Sequence, residues 1–70
     1  MALRPHSQAA HIHLGIALSE QGRLDEAIDE FREAIRLKKD FAPAHNNLGI
    51  ALGGKGRLDE AIDEFREALR

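Results

Sequence analysis

Apolar residues recur along this chain at steps of three and four. Leu24, Ala27, Ile28, Phe31, Ala34 and Ile35 form one stripe of a helix, and the stretch from Leu58 to Leu69 repeats that stripe. Ahead of each stripe lies a second helical set, with Ala10, Leu14, Ala17 and Leu18 on one shared face and Ala44, Leu48, Ala51 and Leu52 on another. No segment alternates as a half-buried strand does. The spacing predicts four helices, over about residues 8–21, 24–38, 42–54 and 58–70.

The polar residues between the stripes agree with this division. Gln21-Gly22 and Lys55-Gly56 fall where a helix ends, and a glycine there takes the left-handed conformation cheaply. Asp25-Glu26 and Asp59-Glu60 put negative charge in the first turn of a helix. Arg36 and Arg70 put positive charge near its end, which complements the helix dipole.

The two halves are copies. Arg23–Ala34 and Arg57–Ala68 both read RLDEAIDEFREA, and Leu14-Gly15-Ile16-Ala17-Leu18 returns at Leu48-Gly49-Ile50-Ala51-Leu52 at the same spacing. Roughly two-thirds of the positions in residues 3–36 are identical to their counterparts in 37–70, with no gap. The unit is a helix-turn-helix. The chain reads as one domain over residues 1–70, with a first repeat at about 8–41 and a second at about 42–70 that is shortened at its end.

Composition narrows the class. At 43% hydrophobic and 31% charged residues with a net charge of −2, the chain is of the ordinary globular kind. The acidic balance supplies no electrostatic footprint for nucleic acid, so none is expected as a partner. No apolar run approaches the length of a membrane span or signal sequence. The lack of cysteine, with no signal segment in view, leads us to expect a cytoplasmic protein. A chain of 70 residues buries only about 60% of its unfolded surface, so partner surfaces matter for its stability.

With Leu14-Gly15, Leu18, Gly22, Leu24, Ala27, Phe31 and Ala34 repeated as Leu48-Gly49, Leu52, Gly56, Leu58, Ala61, Phe65 and Ala68, the sequence resembles the tetratricopeptide repeat. The resemblance implies an all-α solenoid of four antiparallel helices stacked as a right-handed superhelix, with a concave ligand-binding face. Gly15 and Ala27 are small where helices cross closely, and Phe31 and Phe65 fill the space beside such contacts. His11 and His45 stand where the family often has a large aromatic, and they read as partly buried packing residues. The family commonly closes each unit with proline. Pro5 fits that place for a preceding unit, but Lys39 occupies it between the two full ones. A helix running on through Lys38-Lys39-Asp40 is therefore an alternative, opposed by Pro43, which disfavours helix at Ala42.

Candidate chemistry is thin. His11 and His13 point to different sides of a helix, and neither His6 nor His45 has a Cys or Asp neighbour to complete a metal site, so no metal is expected. Gly49 to Lys55 imitates a phosphate-binding loop but lacks the following Ser or Thr and the preceding strand. The carboxylates Asp25-Glu26, Asp29-Glu30, Asp59-Glu60 and Asp63-Glu64 are interleaved with Arg32, Glu33 and Arg36 and read as a solvated face, not as an acid–base pair. No catalytic residue, cofactor or enzyme activity is predicted.

What remains is binding. The concave face implied by the resemblance carries Ile12, His13, Ile16, Ser19 and Glu20 in the first unit and Asn46, Asn47, Ile50, Gly53 and Gly54 in the second. Its isoleucines offer apolar anchors and its asparagines donors and acceptors for an extended peptide. Of the lysine and asparagine pattern by which one family subtype grips a chaperone C-terminus only Asn47 is matched, with Ile12 and Ile16 in place of others. The leading expectation is a scaffold or adaptor module, a part of a longer array, that binds a protein or peptide. The alternative is a self-assembling unit: the last helix, with Ile62, Phe65 and Leu69, repeats a surface that in the first unit packs on the next helix, so a homo-oligomer is expected.

Overall fold

The computed structural model of the chain describes residues 7–70, and Pro5 and His6 lie outside them. Four helices follow in order: α1 (Gln8–Glu20), α2 (Leu24–Leu37), α3 (Ala42–Gly54) and α4 (Leu58–Ala68). Among the described residues there is no strand.

Local chemistry sets the boundaries. The Ser7 side chain caps α1 by accepting from the Ala10 amide at 3.1 Å. Neither second helix has a side-chain cap; instead Arg23 grips Glu26 with two bonds of 2.7 and 2.6 Å across the start of α2, and Arg57 grips Glu60 likewise across the start of α4. The turns inside both repeats are the same structure. Gly22 takes φ +79° and Gly56 φ +80°. The Arg23 amide then donates to the Leu18 carbonyl and the Arg57 amide to the Leu52 carbonyl, both at 2.9 Å, closing a Schellman turn.

Between the repeats the continuous helix does not form. Lys38 is extended, with φ −150° and ψ 100°, and Phe41 opens α3 with Pro43 in its first turn. Proline has no amide to give and is comfortable there, so it fixes a start, not a continuation.

α1 packs on α2, α2 on α3 and α3 on α4, while α1 also touches α3, so the first helices of the two repeats run side by side. The core lies along this zigzag. Ala27, Ala34 and Ala44 are fully buried where helices approach, and Phe31, Leu48 and Leu52 are the largest side chains wholly inside. α3, apolar nearly all round, is covered on one side by α2 and on the other by α4. α1 is apolar to a similar degree but has only one such neighbour. The single-face reading of α1 is corrected accordingly: Leu18 is buried, but Leu14 and Ala17 are exposed, whereas their counterparts Leu48 and Ala51 are buried.

Candidate functional site

The two histidines at equivalent positions do more than pack. His45, buried, donates from Nδ1 to Glu64 on α4 at 2.7 Å and from Nε2 to the Lys39 carbonyl in the inter-repeat turn at 2.6 Å. With an acceptor at both nitrogens, the ring is satisfied only as the imidazolium. Burial pulls its pKa down, but the bonds to Glu64 and Lys39 and the charges of Glu64 and Glu67 outweigh that, and the net direction is upward. His11 makes the corresponding bond to Glu30 at 2.7 Å. Glu30 and Glu64 are half-buried, so they leave the solvated face on which the sequence placed them. Each repeat thus has a carboxylate–imidazole clasp between its two helices. The shared spacing of His11 to Glu30 and His45 to Glu64 was the signal for it in the sequence.

Of the residues expected on the concave face, His13, Ile16, Asn46 and Ile50 are exposed, and Ser19 and Asn47 are half-buried. Glu20 and Gly54 are exposed as well. Ile12 is corrected: it belongs to the buried core beneath this face and is not open to a ligand. Its helix turns it toward the interior beside Gly15 and Leu18, while Asn46, its counterpart, stays outside.

The larger apolar surfaces lie at the two ends. Leu58, Ile62, Phe65 and Leu69 on or beside α4 are 62%, 47%, 36% and 87% exposed. In the first repeat Ile28 and Phe31, the counterparts of Ile62 and Phe65, are 3% and 1% exposed because α3 covers them. Leu58 is a member that the sequence reading missed. At the opposite end, Leu14 and Leu18 floor a depression of about 440 Å³ walled by Arg23, Glu26, Asp29 and Glu30. The exposed α4 residues correspond by position to those that α2 turns inward, and exposed Leu14 to buried Leu48 of α3.

Two ion pairs cross the junction between the repeats: Lys55 Nζ at the end of α3 to Asp25 Oδ1 on α2 at 2.8 Å, and Arg32 Nη2 on α2 to Glu60 Oε1 on α4 at 3.6 Å. Leu24 lies over the end of α3, its Cδ1 3.0 Å from the place a Cβ would take at Gly54. Among the described residues no three His, Asp or Glu side chains converge as a metal site requires, and no helix is long and apolar enough to cross a membrane.

The family profile described as TPR repeat matches residues 15–56, and a second, described as tetratricopeptide repeat, matches residues 45–70. The chain belongs to the tetratricopeptide repeat family. Repeats of this family form helical solenoids that serve as protein-interaction modules, and these two helix pairs are of that kind. Among solved structures it is similar to a crystal structure of MamA, at 35% identity and TM-score 0.84 over 89% of this chain and 36% of that one. An arginine-to-glutamate mutant of MamA matches at 34% identity and TM-score 0.88, over 91% of this chain and 47% of that one. The chain thus spans between a third and a half of these relatives. No curated protein sequence matches it significantly.

Proposed function

We propose that this tetratricopeptide unit is a non-catalytic scaffold whose concave face holds an extended peptide segment of a partner protein. The observation that carries the reading is the pair Ile16 and Ile50, one repeat apart on the adjoining first helices and 37% and 59% exposed. They give two apolar anchors, and His13, Asn46 and Asn47 around them give polar groups for a peptide backbone. A peptide-array screen followed by calorimetry tests it. Ile50→Asp should weaken any captured peptide by about tenfold or more with the helical signal unchanged, while Ile62→Asp at the far end should not. Equal binding by both variants would exclude the concave face.

A second reading has its own support: the chain stacks head-to-tail on copies of itself. The residues exposed on α4 repeat those that α2 packs inward, Leu58, Ile62 and Phe65 matching Leu24, Ile28 and Phe31 and Leu69 standing for Ile35, and Leu14 is open where Leu48 is closed. Such a contact is heterologous and builds open stacks. Sedimentation from micromolar to millimolar chain, with melting followed over the same range, checks it: association and a melting temperature that rises with concentration are expected. A monomer throughout would remove this reading.

A further inference from the structure

Resting on the head-to-tail reading, we infer that Glu20 and Gln21, at the end of α1, hold contact between two copies weaker than the contact between the two repeats of one copy. Over Arg23–Ala34 and Arg57–Ala68 the second helices are identical and present the same side chains to a neighbour, and the first difference beyond them is the conservative change of Ile35 to Leu69. The larger differences between the outer junction and the inner one lie on the first helices. Their apolar middles are also the same, Leu14 to Leu18 repeating as Leu48 to Leu52. They diverge at both ends, and at the C-terminal one, where the inner junction has its contacts to Leu24 and Asp25, Ser19-Glu20-Gln21 stands against Gly53-Gly54-Lys55.

At the inner junction those ends are fitted to α2. Gly54 leaves room for Leu24, whose Cδ1 sits 3.0 Å from where a Cβ would be, and Lys55 reaches Asp25 at 2.8 Å. Shifted by one repeat, the outer junction sets Leu58 and Asp59 of one copy against Glu20 and Gln21 of the next. Leu58 must then give way to a Cβ. Gln21 has no charge to offer Asp59, and the Glu20 carboxylate comes close to it as a like charge. The remaining pair survives, because Arg66, the counterpart of Arg32, faces Glu26, the counterpart of Glu60. The occupant of the α4 face is thus the α1 end of a second copy, attracted by the shared apolar middle and Arg66 and restrained at one edge. The outcome is a reversible stack of internally firm units.

Sedimentation equilibrium of the intact chain tests this with Glu20→Gly/Gln21→Lys, which transplants the inner ends onto α1. Association is expected to tighten by about tenfold, a difference of about 1.4 kcal/mol. Because glycine frays a helix end, Gln21→Lys alone serves as the second variant. It should tighten association about threefold, lose that gain at high salt, and lose it again when Asp59→Lys is added. Leu58→Asp should abolish association in every background. Equal constants for the wild type, the double variant and Gln21→Lys alone, all of them associating, would overturn the inference and leave head-to-tail stacking in place. Monomers in all variants at every concentration would remove the stacking and this inference with it.

Discussion

Gly15 and Gly49 occupy the same position in their repeats, each against a phenylalanine of the second helix, yet alanine should be tolerated at only one of them. A Cβ at Gly15 would fall 2.5, 2.8 and 2.9 Å from the Cε1, Cδ1 and Cζ atoms of Phe31, and at Gly49 2.7, 3.0 and 3.0 Å from the same atoms of Phe65. Both contacts are too close to stand, so the ring must move. Phe31 is 1% exposed, held between α1 and α3, and has nowhere to go; Phe65 is 36% exposed and can swing outward. With the ring so confined, overpacking at Gly15 falls in the upper part of the usual range, about 2–3 kcal/mol, against a gain of about 1 kcal/mol from replacing glycine within a helix, for a net loss of about 1–2 kcal/mol. At Gly49 the same helix gain offsets a partial loss of Phe65 packing, for a net change within about 0.5 kcal/mol. In a domain of this size the difference is roughly 5–15 °C in melting temperature. Thermal and urea melts followed by circular dichroism at low concentration, where copies are apart, measure it. Equal losses at the two glycines would mean that Phe65 is as confined as Phe31, and the account of α4 as an open face would fall.

Three further outcomes are expected. His45→Gln should destabilise the chain, most strongly at low pH: a folded pKa raised above the ordinary 6.5 contributes stability that is complete below 6.5 and is lost as pH rises through the folded value, so the gap between wild type and variant in urea melts should shrink as pH rises above about 6.5. An unchanged gap would mean the clasp to Glu64 and Lys39 works with a neutral ring. Gly53→Ala should stabilise by about 0.5–1 kcal/mol, since no atom lies within 4 Å of its Cβ position and its helix gains a better former; a loss in the same melts would contradict the open surroundings. Ala27→Leu should cost about 1–3 kcal/mol where α2 is fully buried, while exposed Asp29→Ala stays within about 0.5 kcal/mol, and a reversed order in thermal melts would mean the faces of α2 are wrongly assigned.

Much of this architecture is legible in the residues because each second helix carries its own instructions. The stripe from Leu24 to Ile35, the acidic first turn and the glycine of the preceding turn all act within a few residues, and α2 begins and ends within a residue of the predicted 24–38. The first helices are less legible. They are apolar on more than one side, so periodicity alone did not say that Ile12 points inward or that Leu14 and Leu48 differ. That difference is a property of neighbours, not of the helix: α3 has α2 beside it, and α1 has no equivalent. The clasps were marked only by the equal spacing of His11 to Glu30 and His45 to Glu64, since they join side chains far apart in sequence across a helix pair. The break at Lys38 was decided by a turn that His45 helps to hold, not by the proline the family commonly has there.

The identity of the two second helices also bears on how the chain finds its topology. While folding, α1 meets two peptides that offer it the same surface, α2 after the short turn at residues 21–23 and α4 after the whole stretch 21–57. Side-chain chemistry cannot rank these pairings; the tether can, because closing the longer loop costs about 2 kcal/mol more, roughly a fortyfold preference. Native order here is therefore kept by chain connectivity, and lengthening the Gln21–Arg23 turn with flexible residues would erode it, admitting a population in which α1 is paired with α4 and α2 is left unpaired.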